Sequence, residues 1–269
     1  MENSTTEFTI DNKVTLRHLL SHQSGMQMTN FSVDKNVGMP TLVDVVSGSP
    51  PAINKPAIPE FIPGTKWQYS NIAYVLVQLL LEDITGKSFQ DIAEEIIFNP
   101  LGMNNSQFVY PLDNEKSTRE AMPHDYDGNS REPSMHNVAF APGGLTTTSL
   151  DLAKFVREIV LSYQGKSDKI LLQNITKQLL NKESDYIEKT ILDIPFSIAL
   201  GAFYMGEGKD LLFLHTGGNF PGFKCWIVGW PEQGNGIVVM TNSANGRELG
   251  LEIISAFTHV YNSNINNYN

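Results

Sequence analysis

Two short runs of polar residues contain the side chains that could do chemistry. They are Tyr69-Ser70-Asn71 and His215-Thr216-Gly217. A tyrosine phenol can relay a proton, but its unperturbed pKa of about 10 means that it needs a nearby cation near neutral pH. A histidine and a threonine offer hydrogen-bond donors to a carboxylate, and the imidazolium charge is lost as the pH rises through about 6.5. These residues are therefore candidates for proton transfer and for holding an anionic group.

The same residues also have purely structural interpretations. Tyr69 could pack its ring at the N-terminus of a helix. Ser70 and Asn71 could both cap that helix, and for Ser70 we expect capping rather than nucleophilic attack. The choice between chemistry and packing therefore depends on whether the rest of the chain supplies a matching nucleophile and fold.

The chain contains one Ser-x-x-Lys spacing, Ser32-Val33-Asp34-Lys35, in which a lysine could activate a serine. Such a pair needs a helix to hold its geometry. The next residues, Asn36-Val37-Gly38-Met39-Pro40, would break a helix. We therefore predict that Ser32 is not a nucleophile. The run His22-Gln23-Ser24-Gly25 lacks the Gly-x-Ser-x-Gly pattern of a hydrolase elbow, and we predict a turn there.

Helical periodicity dominates the first part of the chain, and short strand-like runs dominate the rest. The strongest helix is predicted over residues 70–85, with an apolar stripe and a stop at Gly86. Short connections between the later runs indicate antiparallel strands. The pattern predicts an α+β fold in a single domain over 1–269, helical and loop-rich over about 1–190 and an antiparallel sheet with a C-terminal helix over about 191–269. Other predicted helices cover residues 15–22, 88–97, 149–161, 170–181 and 248–260, and predicted strands cover 198–205, 211–215, 223–230 and 236–241.

Composition argues against several classes of function. The formal net charge of -10 argues against nucleic-acid binding, because phosphate contacts need a cationic face. The single cysteine, Cys225, rules out an internal disulfide, and no Cys/His cluster has zinc spacing, so we expect no metal and no cofactor. No apolar run reaches the roughly 20 residues of a membrane span, and residues 1–7 lack the pattern of a signal peptide. The sequence leaves the compartment open.

Four blocks of sequence occur in order along the chain. They are VTLRHLLSHQSG at residues 14–25, PGTKWQYSN at 63–71, APGGL at 141–145 with DLAKF at 151–155, and HTGG at 215–218 with PGF at 221–223. Together they resemble the class C β-lactamase-like family of serine hydrolases, which includes D-alanyl-D-alanine carboxypeptidases and esterases. The resemblance spans nearly the whole chain, and an ordered set of four blocks is hard to produce by chance.

The resemblance implies a β-lactamase/transpeptidase-like fold, in which helices pack on an antiparallel sheet beside a mostly helical subdomain. It implies that Tyr69 is a general base or proton relay and that Asn71 orients the substrate amide. His215 stands where family members more often have lysine, which favours a peptidase or esterase over a β-lactamase. The implied site consists of catalytic Tyr69, Asn71 and His215 and of substrate-binding Thr216, Gly217, Gly218 and Asn219, the last as a backbone donor to an oxyanion.

In that family the Ser-x-x-Lys nucleophile precedes the first block, so the resemblance implies that residues 1–269 form an N-terminally truncated version of the fold. Loss of one member of a concerted catalytic group typically leaves about a millionth of kcat, so we expect near-zero hydrolysis by these residues alone. One hypothesis is an acyl-serine hydrolase of D-alanyl peptides, β-lactams or small esters. The alternative is a non-catalytic, penicillin-binding-like or degenerate binding protein.

Both hypotheses give the protein a small-molecule or peptide ligand. A missing central helix would also expose apolar surface. We therefore expect self-association, or a partner segment that fills the position of the missing helix.

Overall fold

The computed structural model describes residues 7–8, 11–28, 38–108, 119–131, 138–188, 196–218 and 222–261, with the backbone alone for 185–188. Within these residues, helices occupy the first part of the chain and strands much of the second. The helices are α1 Leu16–Leu20, α2 Leu42–Ser47, α3 Asn71–Thr85, α4 Phe89–Ala93, α5 Asn99–Leu101, α6 Ser149–Tyr163, α7 Gln173–Leu179 and α8 Gly246–Tyr261, together with a π-helical turn Glu94–Phe98 and a 3-10 turn Gly208–Asp210.

Helix α3 has the first polar run at its N-terminus. Ser70 caps it, because its side-chain oxygen accepts a hydrogen bond from the Ala73 amide at 3.2 Å. Gly86 ends it in the left-handed conformation, with φ at 66°. Ile72 and Val75 lie in a buried cluster to which α1 and α2 also contribute. The helix predicted over 70–85 is therefore confirmed, with Ser70 as its cap.

The later part of the chain forms one six-stranded antiparallel sheet in the order β1-β2-β3-β4-β5-β6. Consecutive strands pair throughout, which is the antiparallel meander that the short connections predicted. The second polar run closes β4, and the register sets His215 opposite Ile227 of β5. The strands are β1 Ser184–Glu188, β2 Phe196–Ile198, β3 Phe203–Met205, β4 Leu212–Gly217, β5 Lys224–Trp230 and β6 Asn235–Thr241.

Helices cover both faces of this sheet, because successive strand residues point to opposite faces. Leu214 and Val228 belong to a buried cluster on the face that α8 covers. Their neighbours Phe213 and Ile227 point the other way, into a cluster with α6. The sheet is therefore the middle layer between two helices, and β4 is held in place from both sides.

The end of α1 joins the helical part of the chain to the sheet. The carbonyl of Leu20 accepts hydrogen bonds from the Gly201 amide at 3.1 Å and from the Tyr74 hydroxyl at 3.0 Å. An ion pair between Arg17 and Glu183 adds a second link. These contacts hold the connection between β2 and β3 against the end of α1.

The α+β fold class is confirmed, but three predicted elements differ from the structure. The strand predicted over 198–205 is two strands, β2 and β3, because the chain turns between them with Gly201 at φ of 80°. The sheet starts with β1 at Ser184, before the predicted boundary at 191. The helix predicted over 88–97 continues through the π-helical turn to Leu101, because Pro100 lies in the first turn of α5, where a missing N–H is tolerated.

Candidate functional site

Tyr69 lies at the end of the loop that leads into α3, and its ring packs against His22. The two ring centroids are 4.4 Å apart. The Ser70 amide donates a hydrogen bond to Nδ1 of His22 at 3.1 Å, so the backbone beside Tyr69 is tied to the same imidazole. Burial raises the pKa of Tyr69 above its ordinary value of 10.0. The phenol is therefore protonated at neutral pH, and work as a base would require a cation beside it.

His22 is a buried side chain, with 5% of its surface exposed. Its backbone has a φ of 56°, in the left-handed region that residues other than glycine rarely adopt. Its ring also contacts the rings of Tyr74 and Trp67, at centroid distances of 5.2 and 6.1 Å. Burial, with a smaller effect of the nearby His215, lowers the pKa of His22 to about 3. The imidazole is therefore neutral under ordinary conditions.

His215 lies near the end of β4 and is partly buried. Its ring stacks on Phe203 of β3, with centroids 5.6 Å apart and planes 19° from parallel. Burial lowers the pKa of His215 below its ordinary value of 6.5. A neutral ring offers a carboxylate one hydrogen bond and no positive charge at neutral pH.

His22 and His215 line a small cleft between the end of α1 and the strands β2 and β3. Its walls are closely packed and leave no room for a water molecule. The cleft is therefore a contact between the end of α1 and the strands rather than a pocket that admits a ligand in this structure. The remaining lining residues are Leu20, Ile198, Ala199, Gly201, Ala202 and Phe203, and Tyr69 lies behind His22 rather than in the lining.

The residues predicted to bind substrate follow His215 along β4. Thr216 is partly buried and pairs with Trp226, and Gly217 pairs with Cys225. Side chains have no room at the end of the strand: a Cβ at Gly217 would lie 2.9 Å from Sγ of Cys225. Gly218 has φ at 119°, and a Cβ there would lie 2.2 Å from the Phe223 carbonyl oxygen. Gly217 and Gly218 are exposed, so the end of β4 presents backbone without side chains.

Several predicted positions cannot be placed in this arrangement. Asn219 lies outside the described residues, and so do Ser32 and Lys35 of the Ser-x-x-Lys spacing. Asn71 is the first residue of α3 and is partly buried. Its neighbour Ser70 has the capping role expected of it.

The structure therefore brings two of the predicted residues, Tyr69 and His215, near a third residue, His22, which contacts the Tyr69 ring and lines the same cleft as His215. The sequence interpretation treated His22 as part of a turn and missed its contact with Tyr69. The sequence signal that could have identified His22 is its position inside the LLSHQSG block, directly after a predicted helix. The predicted turn itself is confirmed, because residues 21–22 form one.

Within 7–261, leaving aside the ranges that are not described, no group of three or more His, Cys, Asp or Glu side chains could hold a metal ion. None of the helices described is long and apolar enough to cross a membrane.

Comparison with known proteins identifies relatives for nearly the whole chain. The penicillin-binding protein 4* of Bacillus subtilis is 25% identical over 92% of this chain and 55% of its own length. The D-alanyl-D-alanine-carboxypeptidase/endopeptidase AmpH of Escherichia coli is 26% identical over 67% of this chain and 46% of its own length. The chain thus spans about half the length of these curated relatives.

Solved structures share the fold. An octameric penicillin-binding protein homologue from Pyrococcus abyssi superposes with a TM-score of 0.69 at 20% identity, over 94% of this chain and 58% of that one. A class C β-lactamase gives a TM-score of 0.68 at 17% identity, over 90% and 69%. The β-lactamase/transpeptidase-like fold is therefore confirmed. The β-lactamase family model matches residues 8–255, and the chain belongs to the β-lactamase family.

Proposed function

We propose that the chain is the larger part of an acyl-serine hydrolase, in which the substrate acylates a serine and water then releases the acyl group. The observation that carries the proposal is the convergence of Tyr69 and His215 on His22, from the start of α3 and from β4. Membership of the β-lactamase family supports it. In this proposal the nucleophilic serine and its lysine lie outside residues 1–269.

Tyr69 would relay the proton between the serine, the leaving group and water. Its raised pKa argues that it needs the positive charge of a lysine to do so at neutral pH. Asn71 would orient the substrate amide through its carboxamide. The glycine-lined end of β4 would let a peptide backbone approach, with the Asn219 amide as an oxyanion donor.

His215 and Thr216 would hold the carboxylate of the substrate. Because burial lowers the pKa of His215, the contact at neutral pH would be a hydrogen bond rather than an ion pair. Histidine in place of the more usual lysine, as the resemblance implies for peptidase-like members of the family, favours D-alanyl peptides or small esters over β-lactams. The name of the Escherichia coli relative, a carboxypeptidase/endopeptidase, supports the same choice.

The proposal is tested with a fluorescent penicillin, which traps the acyl-enzyme, and with intact-mass measurement of the adduct. Residues 1–269 alone should give no adduct. A protein extended upstream to include a Ser-x-x-Lys should give one, on that serine. In the extended protein Tyr69→Phe should slow acylation about 10²–10⁴-fold, as expected for loss of a proton relay.

The matched control is Tyr126→Phe, because Tyr126 is 64% exposed and should not affect acylation. No adduct from the extended protein would contradict the hydrolase proposal. Reversible penicillin binding without an adduct would instead favour the non-catalytic binding protein. An adduct on Ser32 of the short protein would overturn the prediction that this serine is not the nucleophile.

We further propose that residues 1–269 self-associate in the absence of the segment that carries the nucleophile. Apolar surface that this segment would otherwise cover would be exposed in residues 1–269 alone. Sedimentation velocity over a range of concentrations should show association of residues 1–269 and a monomer, or one defined oligomer, for the extended protein. Equal behaviour of the two proteins would contradict this proposal.

A further inference from the structure

His22 adopts a strained backbone that its surroundings must stabilise. It is the one residue other than glycine with a positive φ in the part of the chain that the structure describes. Residues in this conformation persist where neighbouring contacts hold them, and they cluster at functional sites. The contacts of His22 therefore show what its position serves.

Those contacts fix the imidazole from several directions. The Ser70 amide donates to Nδ1, so in the neutral ring the proton is on Nε2. Tyr69 and Tyr74 lie against the ring with centroids at 4.4 and 5.2 Å, and Trp67 meets it edge-on at 6.1 Å. The ring can neither turn over nor shift without breaking a hydrogen bond or a ring contact.

Two of these contacts involve consecutive residues, Tyr69 and Ser70. The hydrogen bond to the Ser70 amide fixes the backbone immediately after Tyr69, and the ring contact fixes the phenol ring itself. Nδ1 of His22 already accepts the hydrogen bond from the Ser70 amide, so this atom is not free to take a proton from a substrate. His22 is thus suited to orient another side chain.

We propose that His22 is a positioning residue, which fixes the orientation of the Tyr69 phenol through its ring and through the Ser70 amide. The inference rests on the proposed function and deepens it by assigning a role in the proton relay. A purely structural histidine would stabilise the fold and leave the behaviour of Tyr69 unchanged.

The substitution His22→Asn separates these roles. Asparagine tolerates a positive φ, and its side-chain oxygen can accept from the Ser70 amide, but it has no ring to support Tyr69. The matched control is Tyr74→Phe, which removes the hydroxyl of the other tyrosine that contacts His22. Circular dichroism and thermal unfolding establish that each variant is folded.

The first measurement needs no activity and uses residues 1–269. Tyrosines carry a ¹³C label at Cζ, and the Tyr69 signal is assigned by its loss in Tyr69→Phe. In His22→Asn the phenol should titrate about one pH unit lower than in the unsubstituted protein, because its ring becomes more exposed. In Tyr74→Phe it should not move. An unchanged Tyr69 titration in folded His22→Asn would overturn the proposal.

A second measurement covers the case in which His22→Asn does not fold. In the unsubstituted protein, nuclear Overhauser contacts should join the His22 and Tyr69 rings, and the ¹⁵N shifts of His22 should be those of an Nε2–H tautomer. Absence of these contacts, or a freely rotating Tyr69 ring with averaged signals, would contradict the positioning role.

Activity supplies a third readout in the extended protein. His22→Asn should lower kcat at least about tenfold and leave KM within about twofold, because orientation of a proton relay acts on the chemical step. A change in KM alone would contradict the proposal. If the extended unsubstituted protein forms no acyl-enzyme, the proposed function fails, and the measurements on residues 1–269 still decide the role of His22.

Discussion

The histidine and tyrosine side chains at the centre of the candidate site are uncharged at neutral pH. His22 and His215 both lie in surroundings that lower their pKa, and Tyr69 lies in surroundings that raise its own. All three side chains are therefore uncharged at pH 7. A proton relay built from uncharged groups depends on a cation from elsewhere, which is why the proposed function assigns one to the nucleophile segment.

Protonation of His22 should make the protein unstable in acid. Its folded pKa of about 3 lies below the 6.5 of an unfolded histidine, so below about pH 6.5 the unfolded state binds more protons. The free energy of unfolding should fall as the pH drops, by about 1.4 kcal/mol per pH unit for one such group, until the pH approaches the folded pKa. Urea unfolding at a series of pH values between 7 and 4 measures this slope.

The variant His22→Asn is the control for that slope. Asparagine does not titrate, so the pH dependence of the free energy of unfolding should decrease in the variant by the contribution of one histidine. The groups that face His22, namely His215, Tyr69 and Tyr74, remain. An equal slope in both proteins would mean that His22 binds its proton equally well in the folded and unfolded states, which would contradict the lowered pKa.

At the scale of elements, one buried glutamine joins α3 to the loop that precedes α6. The side-chain oxygen of Gln78 accepts from the amides of Phe140 and Ala141 at 2.8 and 3.1 Å, and its amide group donates to the Val138 carbonyl at 3.0 Å. This loop contains the APGGL block. The helix that presents Tyr69 at one end thus holds a second family block from its middle.

Replacing Gln78 by methionine should destabilise the fold strongly. Three buried hydrogen bonds would be lost, and although the Phe140 amide and the Val138 carbonyl still bond to each other at 3.2 Å, the Ala141 amide would lose its partner. One unsatisfied buried group costs about 1–3 kcal/mol, so we expect a loss of about 2 kcal/mol in urea unfolding. Gln178→Met on the exposed surface of α7 is the control and should change stability by less than about 0.5 kcal/mol. Similar losses in the two variants would contradict this account.

The end of β4 should tolerate no side chain at Gly218. Alanine there combines φ at 119° with a Cβ 2.2 Å from a carbonyl oxygen, so we expect Gly218→Ala to cost more than about 1 kcal/mol. Gly143→Ala is the matched control, since Gly143 is exposed and a Cβ there would point into open space. Thermal unfolding of both variants makes the comparison, and a neutral Gly218→Ala would show that the turn rearranges.

The hydrophobic periodicity and the capping and turn residues predicted the elements that have strong local signals. Helix α3 has an apolar stripe, a serine cap and a glycine stop, and all three act locally. The break between β2 and β3 was missed because apolar residues run through it and only the φ of Gly201 marks the turn. Motif order predicted that Tyr69 and His215 share one site. His22 was missed because its role depends on a backbone conformation and on contacts 45 residues and more along the chain, which no local pattern encodes.

At the scale of the whole molecule, the buried clusters of the helical part and of the sheet meet around His22. Trp67 packs against the sheet cluster and also contacts His22. The Leu20 carbonyl binds Gly201 and Tyr74, and Arg17 pairs with Glu183. These links tie the helical part of the described residues to the sheet.

We therefore expect the two parts to unfold together. A variant that retains Trp67 as its only tryptophan (W226F/W230F) reports the junction by fluorescence, and far-ultraviolet circular dichroism reports the whole chain. The midpoints of the two urea curves should coincide, as in a two-state transition. A Trp67 transition at clearly lower urea concentration would show that the helical part and the sheet unfold separately.

The single thiol of the chain can report on the proposed substrate-binding strand through its labelling rate. Cys225 lies on β5 directly opposite Gly217, and burial raises the pKa of its thiol. The side chain is only partly buried, so a thiol reagent can reach it, and the position of Sγ beside Gly217 makes the labelling rate sensitive to what covers the end of β4. A ligand that seats along β4 should slow labelling. Occupancy of the candidate site could thus be followed in unmodified protein, before any turnover is observed.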